Sequence, residues 1–199
     1  TFCDEVAWLD HGRLKEVGPA PEVIDKYSDV THGAKKVKDG QGVRFGSGEA
    51  QISRIELLDR RGRPVNSMRT GDEATIRLHY RCEETIEKPI FGCSIDTREG
   101  IFAWGLHGLD DGFQPERIEP GEGTVDVSIP AMMLRPGAYL ISASISPWQL
   151  SSVIDAYQKA TSFDIVPGPR MESGGLVALG AHFERITPPR PMVKHTKNS

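Results

Sequence analysis

Short runs of alternating apolar and polar residues fill the chain from about residue 48 onward, and Gly, Pro and Asp turns separate them. A period of two puts successive side chains on opposite faces of a β-strand, and one apolar face per strand is typical of antiparallel sheets. We therefore predict an all-β fold, an immunoglobulin-like antiparallel β-sandwich with at least seven strands, over residues 48–186. The predicted inward faces carry Ile76, Leu78, Tyr80 and Cys82; Phe91, Cys93 and Ile95; Phe102, Trp104 and Leu106; Val125, Val127 and Ile129; Tyr139, Ile141, Ala143 and Ile145; and Phe163 and Ile165.

The flanking segments have other patterns. Residues 1–28 combine a helix-compatible start, a turn and a second short amphipathic piece, which predicts a small α/β element. Residues 29–47 are polar, with the run KKVKDGQG, and predict a linker. Residues 176–186 alternate again, but the break VPGPRMESGG separates this predicted strand from the others. Residues 187–199 predict a flexible tail.

Composition indicates a globular, soluble chain of 199 residues, with 38% hydrophobic and 26% charged residues. The net charge of −4 disfavours non-specific nucleic-acid binding, which cationic side chains drive. No apolar run approaches the roughly 20 residues of a membrane helix, and no secretion leader is evident at the start. The cysteines Cys3, Cys82 and Cys93 lack CxxC spacing. Buried free thiols are favoured over a bridge between Cys82 and Cys93, which indicates a reducing cytosol.

Patterns for catalysis, a cofactor or a metal are weak. The chain has no GxxxxGK[ST] phosphate loop, and its six histidines show neither HxH nor HExxH spacing. Asp96 and Glu99, or Asp110 and Asp111, could suggest a glycosidase pair, but turn acids are the favoured interpretation of these carboxylates. We therefore predict no catalytic residue, no cofactor and no metal.

The outward faces of the predicted strands suggest a polar binding surface. Small residues would leave a shallow trough, cationic and imidazole groups would border it, and Trp148 could stack on a ring. Such a trough suits a flat polar ligand such as a sugar. The alternative is a plain solvated sheet face, with Trp148 capping the edge of the core. The candidate glycan-binding residues are Arg77, His79, Arg81, Ser94, Asp96, His107, Ser142, Ser144 and Trp148.

Two stretches carry a resemblance to known families. FCDEVAWLDHGRLKEVGPAPEVIDKY resembles the segment after the switch histidine in ABC-transporter nucleotide-binding domains. GSGEAQISRIELLDRRGRPVNSMRTGDEATIRLHYRCEE resembles the start of the C-terminal domain of Wzt-type subunits, the ATP-binding subunits of exporters for O-antigen and related polysaccharides. The matching positions are Gly46, Gly48, Ala50 and Ile52; Leu58, Asp59 and Gly62; Thr70, Gly71 and Asp72; Phe91, Gly92, Ile95, Asp96 and Gly100; Leu134, Pro136, Gly137 and Tyr139; and Phe163 and Ile165.

The resemblance implies a non-catalytic carbohydrate-binding domain that recognises the non-reducing end of the glycan. It also implies a homodimer that exchanges the strand 176–186, a membrane-spanning partner reached through the ATPase domain, and a cytoplasmic location peripheral to the inner membrane. After Gly100, WGLHGLD departs from the family's commoner Asn-Thr pair. Two alternatives stay open: a structural dimerisation domain without a ligand, and a polysaccharide-modifying enzyme that depends on Asp96 or Asp110.

Overall fold

The structure is a computed structural model that describes residues 3–10, 12–31, 37–39, 42–150, 152–169, 172, 174–179 and 181. An antiparallel hairpin and one helix come first: β1 (Glu5–Asp10), β2 (Arg13–Pro19) and α1 (Ala20–Thr31). The remaining strands are β3 (Val37–Asp39), β4 (Gly42–Phe45), β5 (Ala50–Asp59), β6 (Ser67–Arg69), β7 (Ala74–Cys82), β8 (Ile86–Glu87), β9 (Ile90–Thr97), β10 (Phe102–His107), β11 (Arg117–Ile118), β12 (Gly121–Ile129), β13 (Gly137–Ser146) and β14 (Asp155–Val166).

Two sheets form the sandwich. The larger has the order β10-β9-β13-β14-β4-β3, and β6 pairs with β14 in parallel; the smaller has the order β12-β7-β5. The longer strands pair antiparallel with their neighbours, as the alternation predicts. The prediction of an all-β sandwich is therefore confirmed.

Inward side chains of both sheets form a single hydrophobic core. Ile52, Ile76 and Leu78 of the smaller sheet and Ile141 and Ile145 of the larger are completely buried. Burial of a side chain of this size contributes about 1.5–3 kcal/mol relative to exposure, so the alternation in sequence translates directly into the stability of the sandwich. The prediction of buried free thiols is confirmed for Cys82 and Cys93, and burial raises the pKa of the Cys93 thiol to about 12.

A buried ion pair joins the two layers at β4. Arg44 Nη1 lies 2.6 Å from Asp155 Oδ2, and this carboxylate also accepts a hydrogen bond from Ile52 N–H at 2.7 Å. Arg44 Nη2 donates to the Ile52 carbonyl at 2.6 Å, and its guanidinium lies 4.2 Å from the centre of the Tyr157 ring. Because Asp155 is only 2% exposed, its charge depends on these partners.

The predicted linker 29–47 differs from the structure at both ends. Helix α1 extends to Thr31, and β4 pairs with β14 as part of the sandwich. Close backbone approach explains the glycines on either side of Val43, Arg44 and Phe45: a Cβ added at Gly42 would lie 2.5 Å from the Gln158 carbonyl oxygen, and one at Gly46 would lie 2.3 Å from that of Ile154. Glycine permits this contact because it has no side chain, and for the same reason it adds no apolar position to the pattern that predicts a strand.

The segment predicted as a last strand is described only in part. Within residues 174–179 and 181 it forms one antiparallel bridge, between Val177 and Leu134, rather than a regular strand. Ala178 N–H donates to the Met133 carbonyl at 2.7 Å, and the Leu176 carbonyl accepts from Arg135 N–H at 3.0 Å. Residues 182–186 of this prediction, and the predicted tail 187–199, lie outside the described residues. Among the described residues, no helix has the length and apolar character needed to span a membrane.

Candidate functional site

An open trough of about 390 Å³ crosses the outer face of β9, β10, β13 and β14. The strand register sets its floor in rows, because directly opposed residues of antiparallel strands share a face. Ser94 of β9 lies opposite Gly105 of β10 and Ser142 of β13. The predicted trough of small residues therefore exists on this sheet. Its lining comprises Gly92, Cys93, Ser94, Phe102, Gly105, Leu106, His107, Asp110, Ser142, Ala143, Ser144, Ala156 and Gln158.

Gly92 opens the floor where three strands meet. It lies opposite His107 of β10 and Ser144 of β13. A Cβ added at Gly92 would lie 2.5 Å from Ser144 Oγ and 3.1 Å from His107 Cδ2. Because both polar groups lean over the vacant position, a hydroxyl donor and acceptor and an imidazole face the same space.

Backbone irregularities at both sides of the trough use polar side chains. Ser142 Oγ accepts a hydrogen bond from Lys159 N–H at 2.9 Å, where the register between β13 and β14 shifts and Lys159 adopts a φ of 53°. At the other side, a short 3₁₀ helix (Gly108–Asp111) follows β10, and Asp110 Oδ2 accepts from His107 N–H at 3.1 Å. Both contacts fix side chains of the trough, so part of its polar lining is preorganised.

A β-bulge places an aromatic ring in the trough, which the alternation did not predict. Phe102 pairs with Asp96 and Trp104 pairs with Ile95, so β10 has one extra residue between these pairs. The bulge reverses the facing of Phe102, which is 64% exposed, while Trp104 packs against the core as predicted. The prediction that Phe102 shares the inward face with Trp104 and Leu106 is therefore wrong. Bulges are frequent on edge strands such as β10, where they re-aim side chains.

The three predicted cationic residues are on the opposite sheet. The prediction that these residues border the trough of small residues is wrong, because β7 pairs with β5 and β12 in the smaller sheet. Arg77 donates to Asp126 from both Nε and Nη2 at 2.7 Å, and His79 Nε2 lies 2.6 Å from Glu56 Oε2. The third residue, Arg81, is exposed on β7 between the opposed positions of β5 and β12.

Asp96 and Trp148 lie near the trough without lining it. Asp96 is outward-facing and lies opposite Phe102 of β10 and Leu140 of β13. Trp148 is in the turn after β13 and is 54% exposed. Of the candidate residues, the structure brings together Ser94, His107, Ser142 and Ser144 in the trough.

Nine lining residues were not among the candidates, and they include Phe102, Asp110 and Gln158. Asp110 was interpreted as a turn acid, and it does form such a contact while lining the trough. Gln158 lies beside the irregular register of β14, where period-two analysis fails. The sequence feature that accompanies the outward ring of Phe102 is Gly105, three residues later. Gly105 leaves room for the ring, since a Cβ there would lie 2.6 Å from Phe102 Cζ.

The fold and this trough define the class of the protein as a β-sandwich with an open polar binding face. The model of the Wzt C-terminal domain family matches residues 41–179. The chain belongs to the Wzt C-terminal domain family, which in general is a non-catalytic carbohydrate-binding domain of an exporter, separate from its catalytic domain.

Solved structures agree with the fold. The crystal structure of the C-terminal domain of Wzt is similar to this chain with a TM-score of 0.65 and 19% sequence identity, covering 79% of this chain and 96% of that one. The soluble domain of PmoD from Methylocystis sp. ATCC 49242 (Rockwell) matches with a TM-score of only 0.29 and 10% identity, over 66% of this chain and 97% of that one, and supports no argument. No curated protein matches the chain.

Proposed function

We propose that this chain binds the non-reducing end of an O-antigen-type polysaccharide in the trough and thereby selects finished glycan for export by an ABC transporter. The observation that carries the proposal is the open trough itself, in which serine hydroxyls, an imidazole and an aromatic ring line one cavity. Ligand sites typically combine apolar walls with a few fixed polar groups.

The depth of the trough suits a chain end. Gly92, Gly105 and Ala156 contribute almost no side-chain volume to its lining. Ser144 and His107 lean over Gly92, and the Phe102 ring lies against Gly105, so a sugar ring would contact these side chains at the floor of the trough. Hydroxyl groups lose water for each hydrogen bond that they gain, and weak binding to a single trough is therefore expected. Two troughs on a dimer beside a membrane with many glycan chains would raise the effective concentration of ends without tighter contacts.

A glycan pull-down tests this function. The polysaccharide of the source organism is attached by its reducing end, and the capped and uncapped forms of its free end are compared. The protein is expected to bind the form with the finished, capped end, and Gly92→Ala is expected to reduce that binding. Arg81→Ala, on the opposite sheet, is the matched control and should bind like the wild type. Absence of binding to every form of the glycan would contradict the proposal.

A homodimer with an exchanged C-terminal strand is part of the proposal. The bridge at Val177 supports it, since this segment already adds to a backbone edge, and Val177 and Leu179 are 42% and 80% exposed. The same observation favours the second candidate, a structural dimerisation domain without a ligand. Truncation after Gly175 should convert dimers to monomers in light scattering. Dimers that bind no glycan would favour the second candidate.

The partners and the location follow from the same proposal. The membrane-spanning exporter subunit would be reached through the ATPase domain, and the chain would lie in the cytoplasm at the inner membrane. The hairpin β1–β2 and α1 support this connection because they fit the resemblance of residues 1–28 to the end of a nucleotide-binding domain.

A further inference from the structure

The ring of Phe102 is an exposed apolar surface in the trough, where a ligand could cover it. Its phenyl group has no polar atom, yet it is 64% exposed on the same face as the serine floor. The bulge in β10 turns it outward, and Gly105 leaves room for the ring, since an added Cβ would lie 2.6 Å from Phe102 Cζ. Two local features therefore hold an apolar plane at the edge of a polar trough. An aromatic ring that lines a ligand-sized groove beside fixed polar groups provides an apolar wall for a ligand.

The charges that line the trough restrict the chemical class of its ligand. Among the described residues that line it, the acidic and basic side chains are Asp110 and His107, and the Cys93 thiol is the third ionisable group, with a pKa that burial raises to about 12. The arginine and histidine side chains of β7 face the other side of the sandwich, where Arg77 pairs with Asp126 and His79 with Glu56. The Asp110 carboxylate would repel a phosphate or a carboxylate in the trough, and like charges across an interface are a common source of selectivity.

We propose that the trough selects an uncharged terminal sugar and that Phe102 is its specificity-determining residue. The C–H face of the pyranose ring lies on the phenyl plane, while its hydroxyl groups form hydrogen bonds with Ser94, Ser144 and His107. Burial of the ring face removes apolar surface of both partners from water, and Phe102 needs no rearrangement to provide it. This inference rests on the proposed function and specifies the chemical class of its ligand.

An array of oligosaccharides attached through their reducing ends tests the inference. One set ends in a neutral hexose, deoxyhexose or O-methylated hexose, and the matched set carries a terminal phosphate or ends in a uronic acid. The full chain should bind members of the neutral set and bind their charged counterparts at least about tenfold more weakly. Phe102→Ala should weaken binding of the neutral set about tenfold, and Phe102→Trp should keep it within about threefold of the wild type.

Gly105→Ala provides an independent variant that retains the phenyl ring. The added methyl group displaces the ring of Phe102 while β10 keeps its backbone, so binding should fall as it does for Phe102→Ala. Thermal unfolding checks that both variants keep the fold. Equal or tighter binding of charged ends, or unchanged binding by Phe102→Ala, would overturn the inference, and glycan binding in the trough would stand. If no member of either set binds, the proposed function fails as well.

Discussion

The two outer faces of the sandwich share an alternating pattern but differ in what their polar side chains bind. On the smaller sheet, Arg77 and His79 of β7 reach carboxylates of the neighbouring strands β12 and β5. On the larger sheet, Ser94 and Ser144 face a cavity of about 390 Å³. Long charged residues satisfy one another across a sheet, whereas short ones leave space for a ligand. The length of the outward side chains thus distinguishes a face of paired charges from a face with an open trough.

We expect the largest effect on the free energy of unfolding when a buried ion pair is broken, and a much smaller effect when an exposed one is broken. Asp155→Asn removes the buried carboxylate that accepts hydrogen bonds from Arg44 and from Ile52 N–H, and we expect a loss of about 3–5 kcal/mol in the free energy of unfolding, because the partly buried Arg44 guanidinium loses this charged partner. Asp126→Asn breaks the surface pair with Arg77 and should cost less than about 1 kcal/mol. Urea unfolding measures both. Equal losses would contradict the assignment of the Asp155 pair as the interaction that joins the layers.

Bulk added to the two faces should separate binding from stability. Gly92→Ala fills the space beneath Ser144 and His107, and we expect at least about tenfold weaker glycan binding with a small change in melting temperature. Thr124→Ile adds bulk to the outer face of β12 and is the matched control, with binding expected to equal that of the wild type. Isothermal titration with the polysaccharide measures both. Loss of binding in Thr124→Ile, with unchanged binding in Gly92→Ala, would mean that the site lies on the smaller sheet and would contradict the proposal.

Removal of the charged residues should leave glycan binding intact. The double variant Arg77→Ala/His79→Ala loses the half-exposed contact with Asp126 and the partly buried contact with Glu56, and at this solvated face of the sheet each is worth about 1 kcal/mol. We expect a slightly lower melting temperature and an unchanged dissociation constant. A weaker complex would mean that the charged face takes part in recognition after all.

The smallest expected effect is a dependence of stability on pH, which arises from the Arg77–Asp126 pair on the outer face of the smaller sheet. Hydrogen bonds from Arg77 lower the pKa of Asp126 below its ordinary value of 3.8. A carboxylate whose folded pKa is lowered stabilises the fold above about pH 4, and this contribution disappears as the pH falls through the folded pKa. The difference in stability between the wild type and Asp126→Asn should therefore shrink below pH 4 in acid titrations. A difference that stays constant down to pH 2 would contradict the pairing.

Alternation along the chain predicted the longer strands of the sandwich and most of its core. Ile76, Ile141 and Phe163, for example, were assigned to inward faces and are buried there. Alternation does not specify which strands are neighbours, because a period of two is the same in either sheet. For this reason Arg77, His79 and Arg81 were combined with Ser94 and Ser142, although the core separates the two sheets.

Irregular backbone accounts for the remaining differences. A bulge shifts the parity of a strand by one residue, and Phe102 therefore faces outward although Trp104 packs inward. The alternating run of β4 is only three residues long, and Gly42, which permits close approach to β14, together with the polar residues before it is typical of a linker. The pairing of β4 depends on contacts with β14, more than 100 residues later in the chain, which local sequence does not reveal.

A titration of the ¹⁵N-labelled chain with the polysaccharide, followed by NMR, tests the central claim most directly. We expect the backbone amide signals of Ser94, Gly105 and Ser144 to shift with a single saturable dissociation constant, while those of Arg77, Arg81 and Thr124 stay unchanged. Shifts confined to β7 and β12, or no shift at any concentration of glycan with intact ends, would contradict the claim that the larger sheet binds the sugar.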